Sequence, residues 1–361
     1  MDKIEFDKMS GKNKKLYEAL WKESDFSFGD VLEHTWYKNK FSSNSYSFSQ
    51  ASLLIDIFEI KGKYLFRKKY SMAISGSGGE DNKINTLHSS SLCALLHFYN
   101  VTEKNPLTIE LKTHNNNDLP RKVKFTKSVF EFKSPVIGSP SNMDVVLSGV
   151  DVDSKENVVL FLESKFSEYL DAGKSSGISK DYLKNKYTEK LYKGLGELGL
   201  KTEDNKKNPD SKFDMVVKEG EKLFYIEGIK QMISHYCGIR NIIDGNYYDK
   251  EADEFRQTEI QDVVEGKIKN GAVVILGEII FDFTDALKRR DEEKDAEKYE
   301  ALKSRYAEKY KVLAEKMFNE RCEQIHVLDK LLTYNEIFKN EKTSYNLPPR
   351  IKAFYYNNES D

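Results

Sequence analysis

The chain has 361 residues, is 39% hydrophobic and 32% charged, and carries a formal net charge of −2. That length and apolar content are enough for a substantial buried core, as one elaborated domain or as two, while the near-neutral charge excludes a globally basic polyanion binder. No run reaches transmembrane length, and Cys93, Cys237 and Cys322 are too widely spaced for a disulfide framework or a zinc knuckle.

With no apolar signal core at the N-terminus, the expected location is cytoplasmic, with no membrane partner. Lys12 to Lys22 has the spacing of an amphipathic helix, with Leu16, Tyr17, Leu20 and Trp21 on one side, and Phe41 to Gln50 is a Ser- and aromatic-rich connection. Tyr70 to Ile74 predicts a short strand. Gly76, Gly78 and Gly79 follow, but Glu80 and Asp81 stand where a phosphate cradle needs Lys and Ser or Thr, so this is a turn. Asn85 to Tyr99 predicts a buried helix with Leu87, Leu92, Leu95, Leu96 and Phe98 inward and Asn85 or Thr86 as its cap. Strands are expected over Leu107 to Lys112 and Val123 to Phe132, divided by the loop His114 to Pro120. Glu131, between Phe130 and Phe132, is either a solvent-facing member of an alternating strand or an additional carboxylate beside a metal.

Val145 to Val150 and Val158 to Leu162 are short, β-branched runs around the polar stretch Asp151 to Asn157, the pattern of a hairpin. In an extended strand Glu163 and Lys165 share one face and Ser164 takes the other. Charges at the end of a buried strand need partners, because an unpaired buried ion costs several kcal/mol. Asp144 opens the first strand; with the turn centred near Ser154, it lies beside the end of the second. Asp144 and Glu163 are then suitable hard ligands for magnesium, with the Ser164 carbonyl as a third donor. Lys165 would orient or deprotonate a water and offset charge at phosphorus. A calcium loop counted from Asp151 fails, since Glu156 and Leu162 occupy the positions that need Gly and Glu.

Asp144, followed by Glu163-Ser164-Lys165 at the end of the second apolar strand, resembles the PD-(D/E)xK nuclease superfamily. The phrase Phe161 to Leu170, with Pro140 to Leu147 before it and Leu87 to Val101 upstream, is similar to bacterial proteins described as restriction endonucleases. The first motif departs from the pattern: Met143, not proline, precedes Asp144, and the nearest proline is Pro140. The resemblance implies a restriction-endonuclease-like α/β fold, a mixed central sheet flanked by helices. Its core would span 80–285, with a Lys-rich insertion at 173–212, an accessory region at 1–79, and a long helix and closing segment at 286–361. It implies a Mg²⁺-dependent endonuclease hydrolysing DNA phosphodiester bonds, of restriction or defence type, with Mn²⁺ able to substitute. Asp144, Glu163 and the Ser164 carbonyl would be the metal ligands and Lys165 the catalytic cation. Glu80 or His88, near a helix before the hairpin, would be placed to join the metal by the same resemblance.

After the hairpin, Lys180, Lys184, Lys186 and Lys190 run with Tyr182, Tyr187 and Tyr192 through a predicted helix. This is either a helix that follows a phosphate backbone or a solvated face diluted by Asp181, Glu189 and Glu197. Tyr225 to Ile243 predicts a helix burying Ile226, Ile229, Ile233, Tyr236 and Cys237, with Gln231 and His235 at the stripe's margin. The resemblance gives Gln231, with Tyr236 a turn later, a role in positioning water or phosphate. Gly271 to Phe283 is a near-continuous apolar run, expected as a central strand. Asp285 to Arg321 predicts one long charged helix, whose stripe Leu302, Tyr306, Tyr310, Leu313 and Met317 permits packing on the domain or a homodimer contact. Ile325 to Leu328 and Thr333 to Phe338 close the fold, and the tail beyond Pro348 is expected to fray. A non-cleaving nucleic-acid-binding or protein-interaction module on the same fold is the alternative. Neither a methyltransferase partner nor a DNA-versus-RNA preference is legible.

Overall fold

The computed structural model describes residues 64–74, 89–114, 120–136, 140–166, 169, 178–180, 200–219, 222–225, 230–245, 258–288, 293–317, 324–339 and 345–356. In chain order the elements begin with α1 (Tyr64–Ala73), α2 (Ser90–Phe98), β1 (Leu107–Leu111), β2 (Arg121–Ser134), β3 (Ser141–Asp151) and β4 (Asn157–Lys165). A small group follows, β5 (Ile178–Ser179), β6 (Leu200–Asp204), β7 (Lys212–Glu219) and β8 (Lys222–Tyr225). Helices α3 (Lys230–Ile243) and α4 (Thr258–Lys269) lead to β9 (Val273–Ile280). The chain continues through α5 (Thr284–Lys288), α6 (Glu293–Met317), β10 (Ile325–Val327), β11 (Leu332–Thr333), α7 (Tyr334–Phe338) and α8 (Pro349–Tyr356).

The main sheet is mixed. β1 to β4 are successive antiparallel neighbours, and β9 lies parallel beside β4, with β10 and β11 parallel on β9. The molecule is therefore α/β, as the alternating pattern predicts. Val158 to Leu162 and Val274 to Leu276 are wholly buried, which is why these strands read as unbroken apolar runs. The β3–β4 hairpin closes at Val150 opposite Asn157. Its turn is built by Asp151, whose Oδ1 accepts the amides of Asp153 and Ser154 at 2.9 Å each, and by Lys155 at φ 63°.

Helices cover both faces. α1 and α2 lie on one, where Ser128 Oγ donates to the Phe98 carbonyl and Phe66 meets Tyr99 edge-on. α7 and α8 join α2 there through His97, which is ringed by Tyr334, Phe338, Tyr355 and Tyr356. His97 Nδ1–H donates to the Cys93 carbonyl at 2.7 Å, so its Nε2 accepts from the Tyr356 hydroxyl at 2.8 Å. Burial keeps it neutral, with a pKa of about 3. On the opposite face α3 approaches so closely that any Cβ at Gly238 would overlap the Ser134 side chain.

Beyond Phe125 no strand among the described residues pairs with the outer edge of β2, because β1 begins only at Leu107, directly after Pro106. Side chains cover that edge: Lys69 Nζ donates to the Ser128 carbonyl and Gln261 Nε2 to that of Lys133 at 2.6 Å.

Several expectations change. Tyr70 to Ile74 belongs to α1 and its C-terminal boundary, not to a strand, because Phe66, Lys69, Met72 and Ala73 bury a helical stripe that a five-residue window hides. Ser89 caps α2, its Oγ accepting the Leu92 amide at 3.0 Å; residues 85–88 lie outside the described set. Tyr225 ends β8 and so does not open the expected helix, whose described part is α3, Lys230–Ile243. The expected single helix from Asp285 is described as α5 and α6. Tyr306, Tyr310, Leu313 and Met317 of α6 are buried against their own domain. Residues 349–356 of the segment expected to fray form α8 instead, with Ile351 fully buried and Pro349 at the first helical position, while 357–361 lie outside the described residues. The Lys-rich segment contributes β5 and β6 to a second antiparallel sheet, β5-β7-β6 with β8 on β7, whose other strands follow it. The expected helix at 12–22, Lys184 to Tyr192 of the expected Lys-rich helix, the glycine turn, Glu80 and His88 lie outside the described residues, while Lys180 of that helix directly follows β5.

Candidate active site

The end of β4 sends Glu163 and Lys165 to the face covered by α3 and Ser164 to the face covered by α2, as strand alternation requires. Glu163 Oε1 forms an ion pair with Lys165 Nζ, which also donates to Gln231 Oε1 at 2.5 Å. Glu163 Oε2 accepts from His235 Nε2 at 2.7 Å, and His235 Nδ1 lies 2.6 Å from Ser141 Oγ. Gln231 and His235 are four residues apart on α3, hence one above the other on its surface. A continuous polar row runs Gln231–Lys165–Glu163–His235–Ser141. Glu163, Lys165 and His235 are buried while Gln231 is exposed, so the row opens to solvent at the Gln231 end. Burial alone would raise the Glu163 pKa, but the Lys165 and His235 charges and hydrogen bonds outweigh it and bring it to about 2.

Asp144 is half-buried beside this row, its Oδ2 accepting the Ser164 amide at 2.7 Å. A break in alternation places it there. Val145 pairs with Leu162, whereas Met143 pairs with Phe132, which packs on the Phe161 ring at 5.4 Å. Adjacent residues Phe161 and Leu162 face opposite sides, so the facing of β3 flips between Met143 and Val145, at Asp144. The neighbouring strand turns at the same level, with Glu131 at φ 50°. This flip is what carries Ser141 onto the α3 face, where it meets His235. The Lys165 carbonyl accepts from Phe281 N–H at 3.0 Å on the β9 side, so the Ser164 carbonyl points the other way, toward the Asp144 edge. Ser164 Oγ, on the far face, contacts the Ser90 carbonyl at 3.1 Å and Tyr334 OH at 2.7 Å.

The structure thus joins Glu163, Lys165 and Gln231 directly and brings Asp144 to them through the Ser164 amide. Asp144 and the Ser164 carbonyl are hard oxygen donors of the kind magnesium takes. Glu163 has both oxygens engaged and would join them by releasing a contact. Among the described residues no three His, Cys, Asp or Glu side chains are grouped to hold a metal; the expected set contains only two carboxylates. Glu131 is buried rather than solvent-facing. Tyr236 packs in the core, and His235 is the residue that follows Gln231 a turn later on the site's side.

Glu278 on β9 was not among the expected site residues. It is the register partner of Glu163 across the parallel pair and is fully buried. Its Oε2 accepts from Tyr306 OH at 2.7 Å, and its Oε1 has no hydrogen-bond partner. Burial, with the Glu163 charge adding, raises its pKa to about 7 against the pull of Lys165 and Tyr306. A single acid inside Val273 to Ile280 was the available signal.

A scan against family models and searches of curated proteins and solved structures find nothing that matches this chain.

Proposed function

We propose that the chain is a metal-dependent endonuclease that hydrolyses DNA phosphodiester bonds, on a restriction-endonuclease-like fold, of restriction or defence type. One observation carries this reading: Asp144, Glu163 and Lys165 gather at the end of β4, where an antiparallel β2-β3-β4 meander meets a parallel strand between two helical layers. Asp144, Glu163 and the Ser164 carbonyl would hold Mg²⁺, or Mn²⁺ in its place. When bound, that ion supplies Lewis acidity and a more acidic water. Lys165 presents its ammonium to the scissile phosphate and offsets charge that builds at phosphorus. Gln231, at the open end, fixes the ammonium's direction through its Oε1. His235 holds the Glu163 carboxylate from behind, and the sheet excludes water from that side.

The occupation of both Glu163 oxygens by Lys165 and His235 favours a second reading, in which the same surface binds nucleic acid without cutting it. Incubating the protein with plasmid DNA and Mg²⁺, beside Lys165→Ala and Asp144→Asn, separates the two. Cleavage by the wild type should fall by about 10²–10⁴-fold in either variant. Equal nicking by all three, or none by the wild type, removes the enzyme reading.

A further inference from the structure

The outer edge of β2 carries a cluster of lysines that the candidate site does not use. Lys127 is the register partner of Ser148, and Lys267 Nζ from α4 donates to Ser148 Oγ at 2.7 Å. The two ammonium groups therefore approach each other at the sheet edge. From α1, Lys69 reaches the Ser128 carbonyl one residue along, and exposed Lys68 adjoins it. Burial, then Lys68 and Lys127, push the Lys69 pKa down to about 8; burial, then Lys127, lower that of Lys267. None of these four lysines forms an ion pair with a described residue. In a chain with 57 basic and 59 acidic residues, positive charge gathered this way with no ion-pair partner among the described residues is a local excess that repels itself.

We infer that Lys68, Lys127 and Lys267, with buried Lys69 adding its charge beneath them, form a binding site for the phosphodiester backbone of duplex DNA. Ammonium groups on a strand and two helices meet phosphates as point charges and set position without reading sequence. Strand addition by a peptide is disfavoured, because Lys69 and Gln261 already occupy edge carbonyls. The choice of DNA rests on the proposed function. Ser148 pairs with Val159, which shares a sheet face and a strand with Glu163. At about 3.3 Å per residue the separation along β4 is roughly 13 Å. A duplex advances about 3.4 Å per base pair, so one held at the patch extends to the level of the site within roughly four.

The test is fluorescence anisotropy of a labelled random-sequence duplex in EDTA, over a salt series, so that no cleavage enters. Lys68→Gln/Lys127→Gln alters two exposed side chains and leaves the core intact; Lys330→Gln, from a lysine paired with Glu336, is the control. The double variant should bind about tenfold more weakly at low salt. Its slope of log affinity against log salt should be shallower by roughly 1.8, about 0.9 for each lost phosphate contact. Wild-type slope and affinity in that variant, no duplex binding by the wild type, or equally effective competition by polyglutamate would overturn the inference. Lys165→Ala runs in parallel. Weakened binding in the double variant with no wild-type cleavage in Mg²⁺ would leave the patch standing and remove the nuclease. Unchanged binding, with cleavage lost only in Lys165→Ala, would do the reverse.

Discussion

His235 spans Ser141 and the Glu163 carboxylate, so its loss leaves a buried anion with one partner fewer. On the proposed nuclease reading, in which Glu163 supports the reaction and not substrate capture, His235→Ala should lower kcat for DNA cleavage by about 10–100-fold while KM changes little. It should also lower stability by about 1–3 kcal/mol, the cost of an unsatisfied buried group. Steady-state kinetics beside urea unfolding would check both; a KM effect with unchanged kcat would place His235 in substrate binding instead. This role was only half legible. Helical spacing puts Gln231 and His235 on one line, but both lie at the margin of the apolar stripe, where periodicity does not say which neighbour faces the sheet and which the core. Tyr236 has the larger apolar surface and takes the core.

At the scale of elements, the site depends on how closely α3 seats against β2 and β3. Gly238 allows that approach, because a Cβ there would overlap Ser134. Gly238→Ala should cost about 1–3 kcal/mol through overpacking and displace Gln231 and His235 together. Adding Ser134→Gly removes the obstructing side chain and should restore part of the loss. Thermal melts of both variants test this; a single alanine variant as stable as the wild type would show that the helix seats without the glycine. The hairpin itself was legible because β-branched runs and a polar turn are local signals; that Asp151 builds the turn came from the structure. The flip at Asp144 was not, since it follows from two neighbouring strands turning at one level.

Across the whole molecule, three buried groups set a pH profile. Glu278 has a folded pKa of about 7 against an ordinary 4.5, so the folded state takes up a proton first and this stabilising effect is lost as pH rises from 4.5 to 7. His97 is at about 3 against 6.5, so the unfolded state protonates first and stability falls with pH below 6.5. Between 4.5 and 6.5 these slopes oppose each other. Below 4.5 Glu163, at about 2, adds to His97, because its ion pairs persist in the fold while the unfolded carboxylate protonates. Stability from these groups should be nearly flat between pH 6.5 and 4.5 and fall steeply below pH 4.5, by about 1.4 kcal/mol per pH unit for each proton. In Glu278→Gln the opposing slope is gone, so the decline should begin near pH 6.5. Urea midpoints across pH would show it; an unchanged profile would mean that Glu278 is ionised in the fold.

The sequence by itself determined the mixed α/β class, the hairpin, and the facing of Glu163 and Lys165 against Ser164, because strand alternation and turn chemistry act within a few residues. Only the tertiary structure decided that Glu278 stands beside Glu163, that His235 and not Tyr236 follows Gln231 at the site, and that the C-terminal segment docks as α8 around His97. Those outcomes depend on which element lies opposite which. A periodic pattern records how much of a face is apolar, but not the partner against which that face is buried.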